Sequence, residues 1–188
     1  MAARVILADP PWSYNDKLTM SDTKRSSDAH YSTMSVDDIC KFPIPQTSSD
    51  AFLFLWVTNP FLLDGSGSRV CEAWGFKPKQ LITWVKGRPI SEDDDGWDIP
   101  AEFKLNIGLG HYTRGATEQI ILGVKGTPKW LIKDHAVPNV IMAPRQRHSA
   151  KPDVQYELIE RLVDGPYVEL FARKRRPNWT SLGNEVPE

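Results

Sequence analysis

Cysteine is nearly absent from this chain: Cys40 and Cys71 are its only two among 188 residues. They lie too far apart for a metal clamp, and one distant pair builds no disulfide framework. That argues against a disulfide-stapled secreted scaffold and fits a reducing, cytoplasmic setting. Histidine is scarce too, and four scattered imidazoles with these two thiols make no zinc site, so no metal is expected. Long hydrophobic runs are missing. The apolar stretch near the N-terminus is far shorter than a signal-peptide core, and nothing approaches the roughly 20 apolar residues of a membrane span, so a soluble protein without a membrane partner is expected. Neither sign of charge dominates: 23 Lys and Arg against 24 Asp and Glu leave a formal charge of -1. A polyanion would therefore have to be held by a local patch. With 40% hydrophobic residues and no internal repeat or low-complexity linker, residues 1–188 read as a single domain.

What is present alternates strand with helix. "VILA", 5–8, is a short buried strand, and the polar stretch 13–33 lacks periodicity and reads as a loop. "SVDDICKF" reads as a short helix capped by Ser35. "AFLFLWVT", 51–58, is apolar without interruption, which implies burial on both faces. "RVCEAWGF" ends a helix at Gly75, and "KQLITWVK" is a strand followed by an acidic loop from Gly87 to about Gly110. "TEQIILGVKG" and "NVIMA" are further strands. From Lys151, with Pro152 in the first turn, Val154, Leu158 and Leu162 share a helical face that exits at Gly165, and "YVELFA" closes as the last strand. The alternation predicts an α/β fold whose mostly parallel sheet is covered by helices on both faces, with ligands bound beyond the carboxyl ends of the strands.

Asp9, Pro10, Pro11 and Trp12 stand at such an end. Neither proline can donate a ladder hydrogen bond, so strand pairing stops there. An exocyclic amine on an aromatic ring is a poor nucleophile because its lone pair is delocalised, and activating it requires acceptors for its two N–H bonds. The Asp9 carboxylate is one acceptor and the Pro10 carbonyl another, with the proline rings fixing their directions. Trp12 would stack on the ring of the substrate. The plainer alternative is a proline-rich turn with a buried indole.

"DPPW" is the signature of amino-group methyltransferases, and the chain resembles the MT-A70-type family of adenine-N6 methyltransferases. "HYSTMS", "FLFLWVT", "WVK", "GHYTRGATEQIILGVKG", "HSAKPDVQYELIERL" and "ELFAR…PNWTSLGNE" recur in the family's order over nearly the whole chain. The resemblance implies a Rossmann-like fold with permuted motif order, the catalytic strand first and much of the cofactor site last. It also implies S-adenosylmethionine as methyl donor. By resemblance, Tyr31 is the substrate-side tyrosine and Asp9 lies near both the target amine and the donor's amino-acid end. Lys151 reaches the cofactor carboxylate or the target base, while Arg173, Arg175 and Asn184 line the cofactor's ribose and carboxylate region. Where the messenger-RNA member ends its last motif in an amide, this chain has Glu185, which could accept from ribose hydroxyls instead. The resemblance begins at the first strand, so an upstream part of the usual adenine pocket is expected to be missing.

Around that site, Arg145, Arg147, His148 and Lys151 could neutralise phosphates flanking a target nucleotide, although His148 reads equally well as a surface residue. Arg114 is the best backbone contact in "GHYTRG", where His111 reads as a turn residue. Trp56, Trp74 and Trp84 read as core, Trp179 as packing for the last turn, and Gly65-x-Gly67 as weak grounds for a phosphate site. The function expected is methylation of adenine N6 in nucleic acid, gripped by loops 13–33, 87–108 and 143–151. DNA is favoured over RNA because the chain looks like the compact phage and bacterial members. A homodimer is plausible. The rivals are cytosine-N4 methylation and a non-catalytic nucleic-acid-binding partner.

Overall fold

A computed structural model describes residues 2–13, 33–89, 103–108, 112–146 and 150–183. Strand β1 (Ala3–Ala8) is followed by helix α1 (Val36–Lys41), β2 (Thr47–Val57), α2 (Asn59–Leu63), α3 (Ser66–Ala73), β3 (Lys77–Pro89), β4 (Phe103–Leu105) and β5 (Thr117–Lys125). After a 3-10 turn (Pro128–Leu131) come β6 (Val140–Ala143), α4 (Val154–Leu162), β7 (Tyr167–Leu170) and β8 (Trp179–Leu182). One eight-stranded sheet takes the order β4-β3-β5-β2-β1-β7-β8, with β6 paired to β3.

The sheet is mixed, which corrects the expectation of a mostly parallel one. β1 runs parallel to β2 and β7, β7 to β8, and β3 to β6, but β5 is antiparallel to both β2 and β3, and β4 to β3. The physical reason lies in the connections. Parallel neighbours need a crossover, whereas β3 passes through the short β4 back to β5, and β5 fills the place between β2 and β3 in the reverse direction. An apolar strand reads the same in either direction, so periodicity could not see this.

Burial on both faces holds where it was expected. Along β2, Leu53, Leu55 and Val57 join a core with Ile6, Ile39, Val70 and Trp74, while Phe52, Phe54 and Trp56 join another with Val5, Leu7, Leu158 and Ile159. Successive side chains thus leave opposite faces, one covered by α1 and α3 and the other by α4. Burying each of these large side chains stabilises the fold by about 1.5–3 kcal/mol. Among the described residues no helix is long and apolar enough to cross a membrane.

Helix ends differ in how legible they were. Ser35 caps α1, its hydroxyl accepting from the Asp38 amide at 3.1 Å. At the end of α3, the Phe76 amide donates to the Cys71 carbonyl and the Gly75 amide to the Glu72 carbonyl, both at 2.9 Å, with Gly75 at φ +81°. This is a Schellman closure. A Cβ at Gly75 would meet nothing within 4 Å. Gly75→Ala should therefore cost backbone strain alone, about 1 kcal/mol, read as a lower denaturant midpoint at unchanged m-value. Gly67 instead serves packing, since a Cβ there would lie 2.6 Å from Ile121 Cδ1.

Helix α4 starts at Val154, three residues later than expected, and ends at Leu162 because Val163 is extended, not at Gly165. Lys151 consequently lies outside the helix. Strand β8 was not foreseen: Trp179 pairs with Tyr167 and stacks on its ring at 4.7 Å, and its indole N–H donates to Glu160 at 2.6 Å.

Candidate active site

β1 delivers Asp9 just beyond its last residue, on the side where its parallel neighbours β2 and β7 also end. The stretch that follows is pinned by its own backbone. The Trp12 amide donates to the Pro10 carbonyl at 2.9 Å, the Met34 amide to the Pro11 carbonyl at 2.8 Å, and the Ser13 amide to the Met34 carbonyl at 3.0 Å. One lone pair of the Pro10 carbonyl is therefore engaged, and the other remains for a ligand.

Trp12 does not offer a stacking face, which corrects that expectation. The residue is 6% exposed, its ring stacks on Phe61 at 5.0 Å, and its N–H donates to the Trp56 carbonyl at 3.1 Å. The indole fastens the end of β1 to β2.

The charges at this end form an alternating chain. Lys151 Nζ lies 3.1 Å from Asp9 Oδ1 and 3.1 Å from Glu118 Oε2, and Lys86 Nζ lies 2.6 Å from Glu118 Oε1. Arg173 approaches Asp9 Oδ2 at 4.0 Å. All four members of the chain are largely withdrawn from solvent. Burial pulls the Lys151 pKa down, but the Asp9 and Glu118 carboxylates outweigh it and raise it above the ordinary lysine range. Burial likewise pushes Glu118 up, yet Lys151 and Lys86 together hold it below the usual carboxylate range. Both groups are charged at neutral pH.

Tyr156 of α4 donates its hydroxyl to Oε1 of Glu169, on β7, at 2.8 Å, and the Arg176 guanidinium lies 3.7 Å over the Tyr156 ring. Burial, with the Asp9 charge adding to it, raises the Glu169 pKa. Glu169 Oε2 and Ser181 Oγ are buried without a hydrogen-bond partner in this structure. Buried polar atoms of this kind await a ligand or water.

The structure thus brings together Asp9, Pro10, Lys151 and Arg173. Arg175 is exposed on the segment after β7. Arg114 and Arg145 are exposed, and the backbone brings their segments together at the end of β3: the Asn106 amide donates to the Lys86 carbonyl, the Gly108 amide to the Gly115 carbonyl, and the Arg145 amide to Asn106 Oδ1. Tyr31, His111, Arg147, His148, Asn184 and Glu185 lie outside the described residues. Sequence reasoning passed over Lys86, Glu118, Tyr156 and Glu169. No sequence signal singles out the first two, because their strands carry other charges as well, Lys77, Lys79 and Arg88 on β3 and Lys125 on β5.

Residues 3–185 match the protein-family model described as MT-A70. The chain is 32% identical over 186 residues to the human N(6)-adenosine-methyltransferase catalytic subunit METTL3, covering 97% of this chain and 28% of that protein. It is 31% identical to a putative N(6)-adenosine-methyltransferase MT-A70-like protein of Medicago truncatula, over 97% of this chain and 26% of that one. It is also 28% identical over 204 residues to the type II methyltransferase M.MunI of a Mycoplasma species, covering 98% of this chain and 78% of the relative. The chain thus spans about a quarter of the length of the eukaryotic relatives it matches.

Proposed function

The chain belongs to the MT-A70 family, and from that premise we propose that it transfers a methyl group from S-adenosylmethionine to N6 of adenine in a polynucleotide, DNA ahead of RNA. One observation carries this reading: the Asp9 carboxylate stands at the carboxyl end of β1, in contact with Lys151 at 3.1 Å and facing Arg173 at 4.0 Å. Placing DNA first rests on the resemblance to the compact members of the family.

The residues present fit the donor. Its amino-acid end carries an ammonium and a carboxylate and its ribose a diol. Asp9 is an acceptor, Lys151 and Arg173 are cationic donors, and Glu169 Oε2 is a buried oxygen without a partner. When bound, S-adenosylmethionine supplies a methyl already activated on a positively charged sulfur, so no covalent enzyme intermediate is required.

The chain's own residues then have an aligning and charge-draining task. Asp9 and the second lone pair of the Pro10 carbonyl accept the two N–H bonds of the target amine and orient its lone pair. As positive charge builds on nitrogen, the Asp9 carboxylate offsets it, and Oδ2, with the looser of its two cationic contacts, is placed to take the released proton. Lys151 keeps Oδ1 in place and cannot itself serve as base, because it stays protonated.

The purified chain should be incubated with labelled donor and separate DNA and RNA pools, followed by nucleoside analysis. N6-methyladenine from DNA is the expected product; label in methylcytosine alone would overturn the assignment, and label in RNA alone would overturn the choice of DNA. Arg114 and Arg145, both exposed, supply a second expectation. Each arginine that neutralises a phosphate contributes about 0.7–0.9 to the slope of log affinity against log salt. Arg114→Ala with Arg145→Ala should flatten that slope accordingly, and an unchanged slope would remove both from the substrate interface.

A further inference from the structure

We infer that Lys86 and Glu118 are positioning residues of this site, holding the Lys151 ammonium, and through it the Asp9 carboxylate, in the arrangement that receives the target amine. The inference rests on the methyl-transfer reading above.

Strands β2, β5 and β3 build the frame. Trp56 pairs with Ile120, and Trp84 with Glu118, so Trp56, Ile120, Glu118, Trp84 and, two residues on, Lys86 share one sheet face. Each ammonium lies over an indole: Lys151 Nζ is 5.2 Å from the Trp56 ring centre and Lys86 Nζ 5.0 Å from that of Trp84. The two indoles meet edge to face at 5.9 Å, and each N–H is tied, Trp56 to Gln155 at 2.6 Å and Trp84 to the Ala143 carbonyl at 2.9 Å. Both ammonium groups therefore sit against a fixed aromatic wall.

On that wall the charges leave little freedom. Both Glu118 oxygens are engaged, one by each lysine, so the plane of the carboxylate is set by two cations. Lys151 divides its ammonium between Glu118 and Asp9, and it retains a third N–H to donate. Lys86 has no ion contact with Asp9, and the groups facing Glu118 among the described residues are Lys86 from β3 and Lys151, with Asp9 behind it. Without Lys86 the Glu118 carboxylate is free to turn both oxygens to Lys151 and draw it from Asp9. For stability alone, apolar side chains would serve at a buried ion chain. Displacements of about 1 Å in a reacting geometry cost rates up to a hundredfold.

The test compares Lys86→Met, Lys86→Arg and the wild-type chain. Lys86→Met should lower kcat about tenfold, by a larger factor than it raises KM for the donor, whose amino-acid end keeps Arg173. Its acid limb in the pH profile of kcat should move up, because Glu118 keeps its burial but loses one of the two cations holding its pKa down. Lys86→Arg, which keeps the charge, should restore most of the rate. Two NMR readouts need no activity: in Lys86→Met the Glu118 carboxyl should titrate at higher pH, and the Lys151 Nζ resonance should shift. Wild-type kcat in Lys86→Met, an unmoved acid limb, or a loss that Lys86→Arg does not relieve would each overturn the inference. If the wild-type chain methylates no nucleic acid, the reaction assignment fails, and unchanged Glu118 and Lys151 signals would then overturn the positioning role on their own.

Discussion

Asp9→Asn should lower kcat for methyl transfer about a thousandfold, the upper range for removing one preorganised electrostatic contact from a site of this kind. The substitution keeps shape and hydrogen-bonding volume and removes the charge. An asparagine oxygen can still accept one N–H of the amine, but it cannot offset positive charge developing on nitrogen or take up its proton. The fold should tolerate the change, because Lys151 keeps Glu118 at 3.1 Å as a counter-charge. Single-turnover transfer from labelled donor, with melting temperature and donor affinity measured on the same protein, separates these effects. Activity within tenfold of wild type in a folded Asp9→Asn chain would show that another group receives the amine.

Why Asp9 could be found from sequence is physical. Two prolines terminate strand pairing whatever the surroundings, and a carboxylate directly before them has to sit at the end of a strand. The uninterrupted run in β2 was legible for a similar reason, since alternate residues enter two different cores. Properties set by distant contacts were not legible. The direction of β5 depends on how the chain returns from β3, and the burial of Trp12 depends on Phe61 and the Trp56 carbonyl, some 44 to 49 positions away. Pro152 suits a first turn and so predicts a helix that includes Lys151; the structure starts α4 at Val154 and leaves the lysine in the preceding segment. Lys86 and Glu118 each looked like an ordinary charge near the end of a strand until the β3–β5 register set them side by side.

That ion chain also makes the fold depend on Lys151. Lys151→Met keeps an unbranched apolar side chain over Trp56 but leaves Glu118 with Lys86 alone and Asp9 with Arg173 at 4.0 Å. Leaving a buried charge wholly uncompensated costs about 3–5 kcal/mol, and with Lys86 still on Glu118 and Arg173 still near Asp9 the expected loss of unfolding free energy near neutral pH is below that range, about 2 kcal/mol. The pH dependence follows from the two shifts. Glu118 has its folded pKa held below the ordinary 4.5, so its pairing stabilises the chain above that value and the contribution is lost as pH falls through the folded pKa. Lys151 is raised above the ordinary 10.5, so its contribution is complete below that value and lost only as pH rises through the folded pKa. Between these limits the wild-type chain carries the full stabilisation. In Lys151→Met, burial acts on Glu118 with one cation fewer against it, so the carboxyl takes up its proton at higher pH and the penalty of an underpaired charge disappears with it. The stability gap between the two proteins should accordingly be widest near pH 7 and narrow well below pH 4.5, as measured by denaturant unfolding across that range. A gap of constant size would show that the loss comes from altered packing over Trp56 and not from charge.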